Sequence, residues 1–427
     1  MKKLIATGLL TSMTLFLFAQ KINKIINAKE VERIETVLSS DEMKGRKTFS
    51  PDIEHASAFI EKEFKKAKLK KFNTANSYRQ EFNMIESSNT SAVVIVDGQK
   101  QADSSIAVSS FQPKVSLSEK NTEIVKINAS DDFRKKYSEY SNSKKNLLVL
   151  VDPLFRSYAG RLKRRAPAKF EQPDNSIVFV FGINNAASFS IELTNNINKK
   201  PLNNVVGIIP GKSLKDEYVI FSGHYDHLGI GKPVNNDSIY NGANDDAAGT
   251  TAVITLAKYF KALHNNERTL VFVAFTAEEI GGFGSQYFSK QFEPEKVKAM
   301  FNIEMIGTES KWGKGSAYIT GFEKTDMGKI LQQNLEGSSF KFYADPYTTQ
   351  NLFYRSDNAT LARLGVPAHT ISTSKMDNEL NYHKVSDEIG TLDMNNMAEI
   401  IKAIAISSRS IISGKDAPTR VDTKTLN

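Results

Sequence analysis

The sequence predicts an α/β fold: a mostly parallel central sheet flanked by helices, interrupted by a β-rich insertion. Three observations predict it. NVVGIIPG, EYVIFSGH, TLVFVAFTAEE and KAMFNIEMIG are continuous apolar runs rich in β-branched residues, as expected of strands buried on both faces. Helical stretches such as AAGTTAVITLAKYF alternate with them. The polar motifs fall at the carboxyl ends of these runs, where open parallel sheets hold ligands.

The elements follow in chain order. The opening MKKLIATGLLTSMTLFLFAQ has two lysines, an apolar run from Leu4 to Phe18, and Ala19 at a small-residue position. This is the pattern of a secretory leader over 1–19, and its run is shorter than the roughly 20 residues of a membrane span. An uncleaved anchor is the alternative. Nothing later resembles a span, so the expectation is export, to the periplasm or outside the cell, without stable membrane insertion. Residues 20–84 read as helical, with SDEMKGRKTF as a polar break. HASAFIEKEFKKAKL places Ala56, Phe59, Ile60, Phe64 and Leu69 on one helical face. Residues 85–200 carry short runs (SAVVIV, NLLVLV, NSIVFVFG) between polar stretches and read as a separate β-rich or α/β insertion. The main α/β domain occupies 201–414, and 415–427 is a tail.

Composition narrows the chemistry. With 427 residues, 40% hydrophobic and 24% charged, the chain is neither disordered, collagenous nor a multi-span membrane protein. Cysteine is absent, which excludes disulfides, thiolate zinc sites, iron–sulfur clusters and a cysteine nucleophile. The formal net charge is +8, of which Lys2 and Lys3 would leave with the leader. The sharpest basic cluster is Arg161, Lys163, Arg164, Arg165 and Lys169. No aromatic platform or recognition helix accompanies it, so it reads as a solvated loop and no nucleic-acid partner is expected.

Five motifs remain. One strand ends in His224-Tyr225-Asp226, a loop ends in Asp245-Asp246, a second strand ends in Glu278-Glu279, a third carries Glu304, and NYHKVSDE supplies His383. Singly they are bland: a polar turn, a helix cap, a solvated corner. Together they offer imidazoles and carboxylates suited to two zinc ions without cysteine. Adjacent residues on an extended chain point opposite ways, so Glu278 and Glu279 divide the work. One faces the metals, and the other faces substrate as a base for the attacking water. If the strand continues, Asp226 shares a face with His224 and is placed to accept the second ring N–H of that or another ligand. Asp245, Glu279 and Glu304, with hydroxide from water, neutralise two divalent ions. Cobalt and manganese suit such donors too.

The order HYDHLG, GANDDAAGT, TAEEIGGFGSQYF, NIEMIG and YHKVSDE resembles the co-catalytic dizinc aminopeptidase family, which includes bacterial leucyl aminopeptidase and aminopeptidase Y. The match spans about 203–410, with a weaker one over SDEMKGRKTFSPDIEHASAFIEKEF. The resemblance implies a secreted exopeptidase acting on peptides with two zinc ions. By position, His224 would bind one zinc, Asp245 would bridge both, and the Asp245–Asp246 peptide would be cis. Glu278 would be the general base. Glu279 and His383 would bind the second zinc. Glu304, where the family usually has Asp, would complete the zinc of His224. Asp226 would orient a ligand. His227 reads as a surface or packing histidine, His369 as a core histidine, and His55 and His264 as exposed. Tyr354, just before Ser356-Asp357, is a candidate donor to the tetrahedral oxyanion. The insertion lies where relatives sometimes carry a protease-associated domain. A glutamate-carboxypeptidase-like enzyme with Arg355 reading a carboxylate, a glutaminyl-cyclase-like enzyme, and a non-catalytic binding protein on the same fold are the alternatives.

Overall fold

The computed structural model describes residues 21–72, 76–164 and 168–426. The leader expectation at 1–19 and Arg165 of the basic cluster lie outside the described residues. The chain forms two compact units, one up to Glu81 and from Leu202 onward, the other Phe82–Pro201.

The first unit is a mixed sheet clad in helices. Its elements are α1 (Ala28–Leu38), α2 (Ile53–Lys66), the end of β1 (Phe189–Ile209), β2 (Leu214–His224), α3 (Ala248–Leu263), β3 (Arg268–Phe275), α4 (Phe283–Ser289), β4 (Val297–Ile303), β5 (Ser316–Ile319), α5 (Met327–Asn334), β6 (Lys341–Ala344), α6 (Asn358–Ala362), β7 (Ala368–Ser372) and α7 (Met394–Ser407). The strand order is β6-β5-β7-β4-β2-β3-β1. The central four, β3, β2, β4 and β7, are parallel. The antiparallel contacts are β1 with β3 and β5 with β7.

The apolar runs become strands because both faces are covered. Every residue of β3 is buried, and the Phe221 ring of β2 stacks among Phe260, Phe272 and Phe301. α3 begins with small residues, which lets its first turn approach the sheet. A Cβ on Gly249 would stand 2.0 Å from the carbonyl oxygen of Ile303 on β4. The helix start, and the loop before it, are therefore seated against the carboxyl end of β4. On α2, Ala56, Ile60 and Phe64 are buried, as the helical spacing requires. α1 ends at a 3-10 turn, Asp41–Arg46, where the polar break lies. No described helix is long and apolar enough to cross a membrane.

The second unit contains a four-stranded sheet ordered Ile106–Ser110, Ser176–Phe181, Leu147–Val151, Glu123–Ile127. Its first pair is antiparallel and the other two pairs are parallel. Helices Phe133–Ser141 and Ala159–Arg164 belong to it, so the insertion is α/β rather than purely β. Of the basic cluster, Arg161 and Lys163 are exposed, and Lys163 pairs with Asp103.

Candidate metal centre

The chain gathers the motif residues at one edge of the sheet. β2 ends on His224, β3 ends three residues before Glu278, and β4 ends one residue before Glu304. The loop before α3 brings Asp245, and the loop after β7 brings His383. The Asp245–Asp246 peptide is cis.

The donor atoms converge in two groups. His224, Asp245 and Glu304 offer atoms all within 4.8 Å of one another, as do His227, Asp245 and Glu279. His224 Nε2 lies 3.2 Å from Asp245 Oδ1, while His383 Nε2 lies 3.2 Å from both Asp245 Oδ2 and Glu279 Oε2. The two oxygens of Asp245 thus face opposite groups. Two donors on one tetrahedral zinc, each about 2.0–2.1 Å from it, stand about 3.4 Å apart. The fit has a second sign. His224 Nε2, both ring nitrogens of His227, Glu279 Oε1 and Glu304 Oε2 are buried without a hydrogen-bond partner. Orphaned polar atoms cost about 1–3 kcal/mol each, and cations shared among them remove that cost.

The backbone is locked around these atoms. His224 Nδ1 lies 3.1 Å from the backbone oxygen of Asp226, which leaves Nε2 facing Asp245. The Asp226 carboxylate is not that partner. It accepts the Glu278 and Glu279 N–H groups, at 3.0 and 3.4 Å, and the Thr48 hydroxyl. The expected role of Asp226 therefore divides: its carbonyl orients the histidine, and its carboxylate fixes the glutamate turn. Asp246 accepts the N–H groups of His224, Gly249 and Met305. Asp387 accepts those of Asn244 and Asp245. Fully buried Arg46 donates to the carbonyls of Tyr225, Leu38, Asn241 and Gly242. Ala277, Met305 and His383 hold positive φ of 61°, 53° and 57°. Each such residue costs of order 1–3 kcal/mol and persists where the surroundings over-determine it.

Burial raises the Glu278 carboxyl well above the usual range, with Glu304, Asp357 and Glu279 adding to the effect. Burial likewise lifts Glu304 to about 7. His383 rises to about 10, held by Asp245 and Glu279.

Two residues need placing: Tyr354, the candidate oxyanion donor, and His227, read as a surface or packing histidine. Tyr354 packs in the apolar cluster of Phe353 and Leu361, its ring 5.2 Å from that of Phe353. It is not among the residues lining the cleft beside Glu304, whereas Tyr382 is. The Tyr382 ring stacks on His383 at 3.9 Å, and its hydroxyl lies 3.4 Å from Arg355 Nη2. His227 is not at the surface: it is 1% exposed, with Nδ1 2.7 Å from Glu279 Oε1. Its position at i+3 from His224 was the available signal, as was the place of Tyr382 next to His383. His369 is buried between Thr320 and Thr325, and His55 and His264 are exposed.

Comparison with known proteins agrees with this geometry. The leucine aminopeptidase 1 of Metarhizium robertsii is 26% identical over 46% of this chain and 51% of its own length. A protein described as a probable zinc metalloprotease of Pyrenophora teres is 31% identical over 44% of this chain and 36% of its own. The chain therefore spans about half or less of these relatives. Among solved structures, an aminopeptidase of Aneurinibacillus shares the fold, with a TM-score of 0.53 and 15% identity over 95% of this chain and 98% of that one. The family model that matches is that of peptidase family M28, and residues 204–407 of this chain are similar to it.

Proposed function

We propose that the protein is an exported, zinc-dependent aminopeptidase with two metal positions. One observation carries the reading: imidazole and carboxylate atoms from four separate stretches converge in two groups sharing Asp245, with His383 from a fifth 3.2 Å from both Asp245 and Glu279, and several of these atoms are buried and otherwise unpartnered. His224, Asp245 and Glu304 would hold one zinc; Asp245, Glu279 and His383 would hold the other. The chemistry such a pair supplies is polarisation of the scissile carbonyl and acidification of water. Glu278, with its N–H held by Asp226 and no place in either group, takes the water's proton. Oxygen bonds to the carbonyl carbon, Glu278 passes the proton to the amine nitrogen, and the C–N bond breaks. Tyr382 lines the adjoining cleft, and its hydroxyl is suited to donate to the carbonyl oxygen as charge grows there.

Charge favours amino-terminal over carboxy-terminal trimming. Asp226, Asp245, Asp246, Glu278, Glu279, Glu304, Asp357 and Asp387 crowd one corner, and Arg46 is buried behind them. Two divalent ions leave negative charge in surplus, which suits a cationic α-amine. Arg355 at the cleft supports the carboxypeptidase alternative, since a guanidinium there could meet a terminal carboxylate. Aminoacyl nitroanilides against N-blocked peptides separate the two. Export rests on the leader pattern at 1–19.

The direct test is Glu278→Gln. It should lower kcat by about 100-fold or more while metal content per chain stays unchanged. Turnover near the parent value would remove Glu278 from this role.

A further inference from the structure

His227 was set aside on sequence grounds, yet it occupies a built seat at the second metal position. Its ring is buried, and neither nitrogen has a hydrogen-bond partner. Nδ1 stands 2.7 Å from Glu279 Oε1 without hydrogen-bond alignment, and Oε1 is itself buried and unpartnered. A buried nitrogen and a buried carboxylate oxygen that share no aligned hydrogen bond are the donor pair a cation beside them would satisfy. His227 N, Asp245 O and Glu279 O all fall within 4.8 Å of one another. The ring reaches there because Gly242 has no side chain: a Cβ would sit 2.5 Å from the imidazole Cγ and Cδ2. The backbone N–H of His227 donates to the carbonyl of Arg46, whose side chain clamps Tyr225 and Gly242, so the seat is fixed from both sides.

We infer that His227 is a further metal ligand, giving the position of Glu279 and His383 two imidazoles and the position of His224 only one. The inference rests on the two-metal reading above. Its consequence is asymmetry. One position has four protein side chains available: Asp245, Glu279, His383 and His227. The other has three: His224, Asp245 and Glu304. A site with three protein donors keeps a coordination place open for substrate, whereas four close it.

Cobalt(II) tests this, because a ring N–H on a cobalt-bound imidazole gives a strongly shifted proton resonance. The full chain titrated with cobalt should take up two ions and show three such exchangeable resonances, from His224, His383 and His227. His227→Gln should show two, and should hold its second ion at least about tenfold more weakly. Two resonances in the unaltered chain, unchanged in the variant, would overturn the inference and leave the two-metal reading intact. Uptake of fewer than two cobalt ions by the unaltered chain would remove that reading and this inference with it. If the variant fails to fold, the resonance count of the unaltered chain still decides.

Discussion

At the scale of single residues, the site depends on carboxylates that would touch no metal. Asp226, Asp246 and Asp387 are each 0 or 1% exposed, and each accepts backbone N–H groups from the loops that carry His224, Asp245, Glu278 and Glu279. Their pKa values are raised, first by burial, which means the cost of burying them is only partly offset by those bonds. Gly249 ties one of them to the sheet. Its N–H donates to Asp246 Oδ1, and it has no room for a methyl against Ile303 or against the Asp246 oxygens at 2.4 and 2.5 Å. Gly249→Ala should therefore push α3 off β4 and cost about 1–3 kcal/mol, read as a lower urea midpoint. The same shift moves Glu304 from Asp245, so zinc affinity should fall too. A variant with unchanged midpoint and unchanged zinc affinity would refute this seating. The five motifs were legible because each ends a recognisable strand or loop. His227 was not, because its place is set by pairing with Lys47, far away in sequence, and by the Arg46 carbonyl. Tyr354 was singled out for its place in the chain alone. It lies near Ser356-Asp357 in sequence, but in the turn Leu352–Tyr354 it is half-buried and packs against the apolar cluster that holds Phe353.

At the scale of elements, the parallel strands of the main sheet were legible, whereas the pairing directions inside the insertion were not. β2, β3 and β4 are apolar on both faces, a pattern that only a covered sheet explains. The insertion's strands of five or six residues leave pairing direction open: Leu147–Val151 and Ser176–Phe181 are buried throughout, and a short, uniformly apolar run fits either direction. The helices on one side of the main sheet are also joined by charge. Glu63 on α2, with its side chain fully buried, accepts from Arg33 on α1 at 2.7 Å, from Lys66 at 2.6 Å and from Lys258 on α3. Lys258 also reaches Glu30 on α1 at 2.7 Å. Burial alone would raise the Glu63 pKa, but these three cations bring it down to about 2. A depressed carboxylate stabilises the fold above its ordinary range, near 4.5, and loses that contribution as pH falls towards 2. Glu63→Gln should then cost of order 2 kcal/mol at pH 7, with the gap to the parent narrowing between pH 5 and pH 3. Urea midpoints across that range measure it. A gap independent of pH would mean the clasp acts by packing and not by charge.

At the scale of the molecule, the same corner that would bind metal is a liability without it. Burial raises Glu304 to about 7 and Asp357 and Asp387 to about 6, so the metal-free fold holds protons that the unfolded chain releases. Groups raised in this way stabilise the fold below the ordinary carboxylate range, and their contribution is lost as pH rises through 6 to 7. The chelated protein should therefore melt at progressively lower temperature between pH 5 and pH 8. Metal acts in the opposite sense, because it binds the folded state alone: at a thousandfold excess over Kd one site adds about 4 kcal/mol. Ions also need deprotonated carboxylates, so their effect should be largest at pH 8, where the metal-free fold is weakest. Scanning calorimetry with chelator, and again with zinc restored, gives both curves. Two curves that separate as pH rises are expected. If they coincide at pH 8, the crowded carboxylates of this corner are not neutralised by metal, and the two-ion reading fails on stability alone.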